Sequence, residues 1–336
     1  MRGPHVAVGD RVLVTGANGF VGTALCRRLR EDEFLVRMAG RARSRLPGGI
    51  SDCSDCEWVV LHDRSNEAEI TQALDGVGCI IHLAARVHVM TDHAADPLAE
   101  FRSVNANWTE RLARAAASQG VRRFVYLSSI KVNGEQSLLP FTEQDPPNPQ
   151  DPYGVSKWEA EQALARVSSK TGMETVVVRS PLVYGPGVGG NFLQLLNILR
   201  RGVPLPLALV RNRRSLVYRG NLVDALTRCV RDVRAAGQTY LVSDGEDLST
   251  PELIRRLGKA LGQTVHLWPL SLLVLGWLGR LVGRQAMIGR LIGSLQVNSS
   301  KIRQELEWSP PFSVDRGLAE TAAWYCARSL RLHPGS

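Results

Sequence analysis

Short apolar runs alternate with helical patterns over the first half of the chain. Runs of strand length lie at residues 11–15, 34–38, 58–61, 78–83, 124–128 and 175–179. Segments in which apolar residues recur with helical spacing separate them, for example up to about Glu31 and over 104–117. Continuous apolar strands that alternate with helices predict a parallel sheet covered by helices on both faces.

Beyond Pro181 the pattern changes to shorter segments broken by proline and glycine. The breaks include Gly185-Pro186-Gly187, Val203-Pro204-Leu205-Pro206 and Pro310-Pro311. We therefore predict an α/β fold with a doubly wound parallel sheet over residues 1–180 and a smaller lobe over 181–336. The cleft between two such lobes is the expected ligand site.

Three glycines follow the first predicted strand. Gly16, Gly19 and Gly22 have the spacing GxxGxxG and stand directly before a helical pattern. Glycine at such a turn lets main-chain N–H groups approach a pyrophosphate and lets the helix pack close to the sheet. A glycine turn that serves packing alone is the alternative.

Hydroxyl and amine side chains follow two later segments. Tyr153 and Lys157 form a YxxxK pair at a predicted helix start, so both side chains lie on one helix face. A tyrosine acid or base needs its pKa lowered from about 10 toward neutrality, roughly 4 kcal/mol, and a nearby lysine contributes to that. Ser128 and Ser129 end a predicted strand, where open parallel sheets bind ligands. The alternative for Tyr153 and Lys157 is an ordinary surface pair, and the alternative for Ser128 and Ser129 is backbone capping.

Composition narrows the class of protein. The 336 residues include 41 Lys and Arg against 32 Asp and Glu, a net charge of +9, and 44% are hydrophobic. This excludes a disordered chain and a membrane bundle. Small groups of arginines lack interleaved aromatic residues, so we expect phosphate-bearing small molecules and no nucleic acid. These groups are Arg37, Arg41, Arg43 and Arg45, and later Arg211, Arg213 and Arg214.

Cysteine usage and the chain start predict the cytoplasm. The six cysteines stand at 26, 53, 56, 79, 229 and 326, and the first ten residues lack an apolar signal segment. Cys53 and Cys56 form a single CxxC, which provides too few ligands for a zinc site, so no metal is expected. The uncharged segment 267–279 is too short to cross about 30 Å of hydrocarbon. It predicts a buried or interface helix, with peripheral membrane contact as the alternative.

Together these motifs resemble the extended short-chain dehydrogenase/reductase family of nucleotide-sugar epimerases, dehydratases and reductases. His82-Leu-Ala-Ala85 and Val183-Tyr-Gly-Pro-Gly187 add to the resemblance, which covers almost the whole chain in order. It implies a dinucleotide-binding Rossmann domain over 1–180 and a nucleotide-sugar lobe over 181–336. Members of the family are often homodimers.

The resemblance also implies site residues. Tyr153 would exchange a proton with the substrate oxygen, Ser129 would hydrogen-bond that oxygen, and Lys157 would hold the nicotinamide ribose. The implied cofactor contacts are Gly16, Gly19, Phe20, Val21, Gly22, Asp63, Ala84 and Ala85. Asn191 and Arg214 would bind the nucleotide sugar, and Asn105 would support the site.

Two departures from the family pattern narrow the reaction. The 4,6-dehydratases of the family carry an Asp and a Glu after the catalytic hydroxyl, where this chain has Ile130 and Lys131, so dehydration is not expected. NAD enzymes usually carry a carboxylate after the second strand for the adenosine ribose. Here Arg41 or Arg43 can pair with a 2′-phosphate, which favours NADP(H) over NAD(H).

The chain is similar to a bacterial surface-polysaccharide branch of the family. We predict a UDP-4-keto-6-deoxy-N-acetylhexosamine 4-reductase of O-antigen or capsule synthesis. A UDP-glucose or UDP-N-acetylglucosamine 4-epimerase is the alternative, although an Arg-x-Gly-Asp stretch of many such epimerases is replaced by a segment containing Arg290. A non-enzymatic redox sensor would not need Tyr153 and Lys157, and a steroid or lipid reductase would not explain Asn191 and Arg214.

Overall fold

Strands and helices alternate along the chain as the apolar pattern predicts. The computed structural model describes residues 10–42, 57–87, 96–281, 289 and 291–332. The strands are β1 (Arg11–Thr15), β2 (Leu35–Gly40), β3 (Glu57–Val60), β4 (Val77–His82), β5 (Arg123–Ser129), β6 (Glu174–Ser180), β7 (Leu182–Tyr184), β8 (Leu216–Tyr218) and β9 (Thr239–Leu241). The α-helices are α1 (Gly22–Glu31), α2 (Glu67–Leu74), α3 (Pro97–Phe101), α4 (Trp108–Ser118), α5 (Pro152–Thr171), α6 (Gly190–Arg200), α7 (Arg219–Arg231), α8 (Thr250–Ala260), α9 (Leu272–Leu281), α10 (Ser300–Glu305) and α11 (Val314–Leu332).

Within the described residues, the main sheet has seven parallel strands in the order β3-β2-β1-β4-β5-β6-β9. Successive residues of each strand face opposite layers: Val12 and Val14 pack with α1 and α7, whereas Leu13 packs with α2, α4 and α5. Both faces are buried, which is why the strands are apolar throughout. The predicted α/β fold is confirmed. The strand order reverses between β1 and β4, and open parallel sheets bind ligands at such a point.

The predicted helix over 104–117 differs from the structure in one respect. A π-helical segment, Arg102–Asn107, joins α3 to α4. A π-helical turn inserts an extra residue into the helix and often occurs at functional sites. Here it contains Asn105, whose side chain is described below.

The smaller lobe contains a two-stranded parallel sheet of β7 and β8, paired from Leu182 with Leu216. Its core is formed by side chains such as Phe192, Leu196, Leu257 and Leu318. The predicted boundary at residue 180 does not separate the two lobes completely. Helix α7 packs on the main sheet and β9 pairs with β6, although both follow that residue. The last strand of the main sheet is therefore supplied by the second half of the chain.

The uncharged segment over 267–279 folds largely into α9. Leu275 is buried at 6% exposure, but Leu273 and Trp277 are 86% and 61% exposed. These exposures exclude a helix that is buried as a whole, while the interface helix and the peripheral membrane contact stay predictions. Among the residues that the structure describes, no helix is long and apolar enough to span a bilayer.

Candidate active site

The start of α5 places Tyr153 beside the end of β5. Asp151 caps the helix by accepting a bond from the Gly154 N–H at 2.7 Å. A Cβ on Gly154 would lie 2.9 Å from the Lys131 carbonyl oxygen, so only glycine lets the helix start pack this closely on the turn after β5. The Tyr153 hydroxyl consequently lies near the hydroxyl of Ser129, the last residue of β5.

Lys157 lies one helical turn further along α5 and is only 2% exposed. Its Nζ donates to the Leu127 carbonyl oxygen at 2.8 Å. It lies 4.4 Å from the ring centroid of Tyr126 and 5.9 Å from that of Tyr153. Burial lowers the pKa of Lys157 to about 7, and the opposite charge of Glu161 acts against this shift. The amine therefore titrates near neutral pH.

The surroundings of Tyr153 raise its pKa. Burial is the main cause and the charge of Asp151 adds to it, whereas the neighbouring Ser129 hydroxyl acts in the opposite direction. The lowering of the pKa toward neutrality that a tyrosine base needs is thus not supplied by these residues. At neutral pH the phenol holds its proton, which is the starting state of a general acid.

A buried ion pair anchors α5 to the sheet beneath these groups. Glu161, one turn after Lys157, pairs with Arg179 of β6 at 2.6 Å, and both side chains are 5% exposed. Glu161 also accepts a hydrogen bond from the Ser128 hydroxyl at 2.5 Å. The pair therefore links α5, β5 and β6 directly behind Ser129. Sequence reasoning missed Glu161, although its i+4 spacing from Lys157 is a usable signal.

His82 joins the ends of β1 and β4. The Thr109 hydroxyl donates to the Asn105 carbonyl at 2.6 Å, so it accepts from His82 Nε2 at 3.0 Å. His82 Nδ1 then accepts from the Thr15 hydroxyl at 2.7 Å, which in turn accepts from the Ala84 N–H at 3.2 Å. This order of donors requires a neutral imidazole with its proton on Nε2.

Electrostatics favour the same state of His82. Burial chiefly, and the charge of Lys157 secondarily, lower the pKa of His82 to about 3. The neutral ring therefore holds the segment after β4 in place at physiological pH. His82 is part of a motif that the sequence shows, but its role comes only from the fold.

Asn105 connects that segment to α5. Its Oδ1 accepts from the Arg86 N–H at 2.8 Å, and its Nδ2 donates to the Arg86 carbonyl at 3.0 Å and to the Ser156 hydroxyl at 2.9 Å. Ser156 in turn donates to the Tyr153 carbonyl at 2.8 Å. Asn105 thus lies where a residue that supports the site is expected.

The glycine turn lies against the end of β4. Gly16 has φ +68°, and a Cβ there would lie 2.9 Å from the Ala84 nitrogen. The Gly19 N–H donates to the Gly16 carbonyl at 2.9 Å, and α1 begins at Gly22. The first N–H groups of an α-helix have no intrahelical acceptor, so this turn suits a diphosphate. The structure brings together Gly16, Gly19, Phe20, Val21, Gly22, Ala84 and Ala85 at one edge of the sheet.

Arg41 and Asp63 follow the ends of two neighbouring strands, because Gly40 at the end of β2 pairs with Val60 at the end of β3. Both residues therefore lie at the same edge of the sheet. Arg41 is exposed, and the Asp63 carbonyl accepts from Arg111 at 3.1 Å. Arg37 instead is buried and pairs with Glu57 at 2.8 Å. It therefore belongs to the fold and not to a phosphate site. Arg43, Arg45, Cys53, Cys56 and Arg290 lie outside the described residues.

The expected substrate contacts lie on other elements. Asn191 is exposed at the second position of α6. Arg214 is partly buried, and its Nη1 donates to the Gly293 carbonyl at 3.1 Å. Their role in substrate binding stays a prediction.

The two positions that depart from the dehydratase pattern have structural contacts. Ile130 is buried in a small cluster with Leu241, Leu295 and Val297. Lys131 forms ion pairs with Glu135, at 2.7 Å, and with Asp151. Neither side chain is a carboxylic acid available for water elimination.

Arg219, at the start of α7, is a residue that the sequence did not indicate. Its Nη1 donates to the Phe20 carbonyl at 3.4 Å, and its guanidinium lies 5.3 Å from the Phe20 ring centroid. Burial lowers its pKa. The two residues are 199 positions apart, so no local signal connects them.

A family model described as the NAD dependent epimerase/dehydratase family matches residues 12–243. The chain belongs to this family. This confirms the resemblance to extended short-chain dehydrogenases/reductases. The family is one of enzymes, and its name states the nicotinamide cofactor.

Proteins that are similar to this chain in sequence or in fold are named for different reactions. A UDP-glucose 4-epimerase from Vibrio cholerae is 39% identical, over 94% of this chain and 97% of its own. A 3 beta-hydroxysteroid dehydrogenase/Delta 5-->4-isomerase from Mycobacterium tuberculosis is 30% identical, over 94% and 90%. A dTDP-glucose 4,6-dehydratase from Streptomyces venezuelae, solved with NAD bound, has a TM-score of 0.78 at 25% identity and covers 96% of this chain and 99% of its own.

Proposed function

We propose that the protein is a nicotinamide-dependent oxidoreductase that acts at C4 of a UDP-sugar. The observation that carries the proposal is the convergence of Ser129, Tyr153 and Lys157 at the sheet edge that also holds the glycine turn. The Vibrio relative, named a UDP-glucose 4-epimerase, supports the UDP-sugar and the C4 position.

The chain's own groups account for the proton transfer. The protonated Tyr153 phenol donates to the sugar O4 when a 4-keto group is reduced, and it receives that proton back when a 4-hydroxyl is oxidised. Ser129, which lies near Tyr153, donates a second hydrogen bond to the same oxygen. A bound nicotinamide carries the hydride and, when oxidised, adds the positive charge that the phenol needs to ionise.

Two forms of this reaction have support. A 4-epimerase oxidises C4 and reduces it again from the other face of the sugar, so it retains NAD⁺; the Vibrio relative favours this form, which we place first. A 4-keto reductase of UDP-4-keto-6-deoxy-N-acetylhexosamine consumes a reduced cofactor. The exposed Arg41 after β2, where a carboxylate would select NAD, favours this second form with NADPH.

Release of the cofactor from the purified protein by acid, followed by mass spectrometry, distinguishes the two forms. Retained NAD⁺ and conversion of UDP-glucose or UDP-N-acetylglucosamine to the 4-epimer would support the epimerase. An empty protein that prefers NADPH, and loses that preference in Arg41→Ala, would support the reductase.

Two other functions predict different ligand responses. A steroid reductase, which the mycobacterial relative makes relevant, would be stabilised by a steroid and not by UDP or a UDP-sugar. A redox sensor would respond to the dinucleotide and show no turnover. Melting temperatures with each ligand separate these cases, and failure of every UDP-sugar to raise Tm would overturn our proposal.

The proposal includes a homodimer and a location in the cytoplasm, where nucleotide sugars and nicotinamide cofactors are present. Sedimentation velocity of the purified protein tests the dimer. Cell fractionation tests the location.

A further inference from the structure

Helix α9 presents an apolar face to solvent. Leu273, Trp277 and Arg280 follow one another at i, i+4 and i+7, so they lie on one side of the helix, and all three are exposed. Leu275, on the opposite side, is buried in the core of the smaller lobe. The helix thus turns large apolar groups outward, and exposed apolar groups close together often mark an interaction surface.

A second exposed segment lies next to Leu267 and Trp268, which precede α9 in the chain. Leu205 forms a parallel bridge with Leu267, and the Ala208 N–H donates to the Trp268 carbonyl at 3.1 Å. Trp268 is 63% exposed, and Val203 and Leu209 on the neighbouring segment are exposed as well. We call these residues, with the outer face of α9, the tryptophan surface; they are Val203, Leu209, Trp268, Leu273, Trp277 and Arg280.

The two segments that form the tryptophan surface contain only positive charges. No Asp or Glu occurs in residues 201–213 or 266–281, whereas these segments contain Arg201, Arg211, Arg213 and Arg280. Arg201, Arg211 and Arg213, on the segment beside Trp268, are exposed. An apolar patch in such surroundings matches an anionic surface.

We propose that the tryptophan surface docks the protein on an anionic phospholipid bilayer. Tryptophan is the side chain that favours the boundary between headgroups and acyl chains, and arginine beside it pairs with lipid phosphates. A second copy of the chain fits less well, because a two-fold contact would place arginines against arginines. A nucleic acid also fits less well, because it would not provide an apolar environment for the leucine and valine side chains. The inference is independent of the reaction proposed for the site.

Flotation of the full-length protein with vesicles tests the surface. We expect binding to vesicles that contain phosphatidylglycerol, little binding to phosphatidylcholine alone, and weaker binding at high salt. Insertion of Trp268 and Trp277 would shift their fluorescence to shorter wavelength. The variant Leu273→Glu/Trp277→Glu should bind anionic vesicles at least about tenfold more weakly, since it removes apolar area and adds two negative charges.

Leu35→Glu is the matched control, because Leu35 is an exposed leucine at the start of β2, in the main sheet. It should bind as the unaltered protein does, and melting temperatures confirm that all variants fold. Absence of binding to anionic vesicles, or equal binding by the double variant, would overturn the proposal. Dimers that the double variant dissociates, without any vesicle binding, would identify the surface as a contact between copies instead.

Discussion

The predicted functional side chains are held more firmly by their neighbours at the sheet edge than in the smaller lobe. At the sheet edge, Tyr153 is partly buried and Lys157 is buried, and the groups around them are hydrogen-bonded to one another through Glu161 and Asn105. In the smaller lobe, Asn191 is exposed and Arg214 contacts the backbone of another segment. Proton transfer requires fixed distances, whereas substrate recognition tolerates side chains that adjust.

The largest effect is expected at the sheet edge from Tyr153→Phe. Removing the phenol hydroxyl should reduce turnover roughly 10²- to 10⁴-fold while leaving cofactor binding intact, because only the proton donor is lost. Steady-state kinetics and cofactor titration measure the two quantities. Tyr325→Phe is the control, since its hydroxyl bonds Asn197 in the smaller lobe. Full turnover by Tyr153→Phe would show that the acid is another group.

The buried ion pair behind the catalytic residues should be important for stability. Glu161→Gln leaves the Arg179 guanidinium buried beside an uncharged partner, which typically costs about 3–5 kcal/mol of unfolding free energy. Glu159→Gln, two residues earlier on α5, breaks an exposed pair with Arg102 at 2.7 Å and should cost less than about 1 kcal/mol. Urea denaturation of both variants measures the difference, and equal stabilities would contradict the structural role of Glu161.

Arg214→Ala probes the smaller lobe. If its guanidinium pairs with the diphosphate of the nucleotide sugar, the variant should bind UDP about tenfold to a hundredfold more weakly, the equivalent of roughly 1.5–3 kcal/mol. Calorimetric titration with UDP measures this, with Arg213→Ala as the exposed neighbour for comparison. Unchanged affinity would assign Arg214 a structural role in the smaller lobe, where it contacts Gly293.

A pH dependence due to His82 is an effect confined to acid conditions. Its pKa in the folded protein, about 3, is below its ordinary value of 6.5, so the unfolded chain binds more protons between these limits. Stability should therefore fall by up to about 1.4 kcal/mol per pH unit as the pH decreases from 6.5 toward 3. The depressed pKa of Lys157 acts only above about pH 7. Denaturation at several pH values should show a shallower slope in His82→Asn, and an unchanged slope would exclude His82 as the cause.

The sequence predicted most of the sheet edge because its signals are local. Each strand of the first half is a continuous apolar run, and Tyr153 and Lys157 are four residues apart on one helix. The π-helical turn around Asn105 was missed, since its residues have the same apolar spacing as an ordinary helix. Arg219 was missed because it reaches Phe20 only through the fold.

By itself, the sequence determined the α/β fold, the positions of the first six strands along the chain, the glycine turn and the family, because periodicity and motif spacing are properties of neighbouring residues. The tertiary structure alone decided the protonation state of His82, the pairing of Glu161 with Arg179, and the addition of β9 to the main sheet. It also turned Leu273 and Trp277 outward on α9. Burial and charge pairing depend on residues far apart in the chain, and these decide which groups lose contact with water.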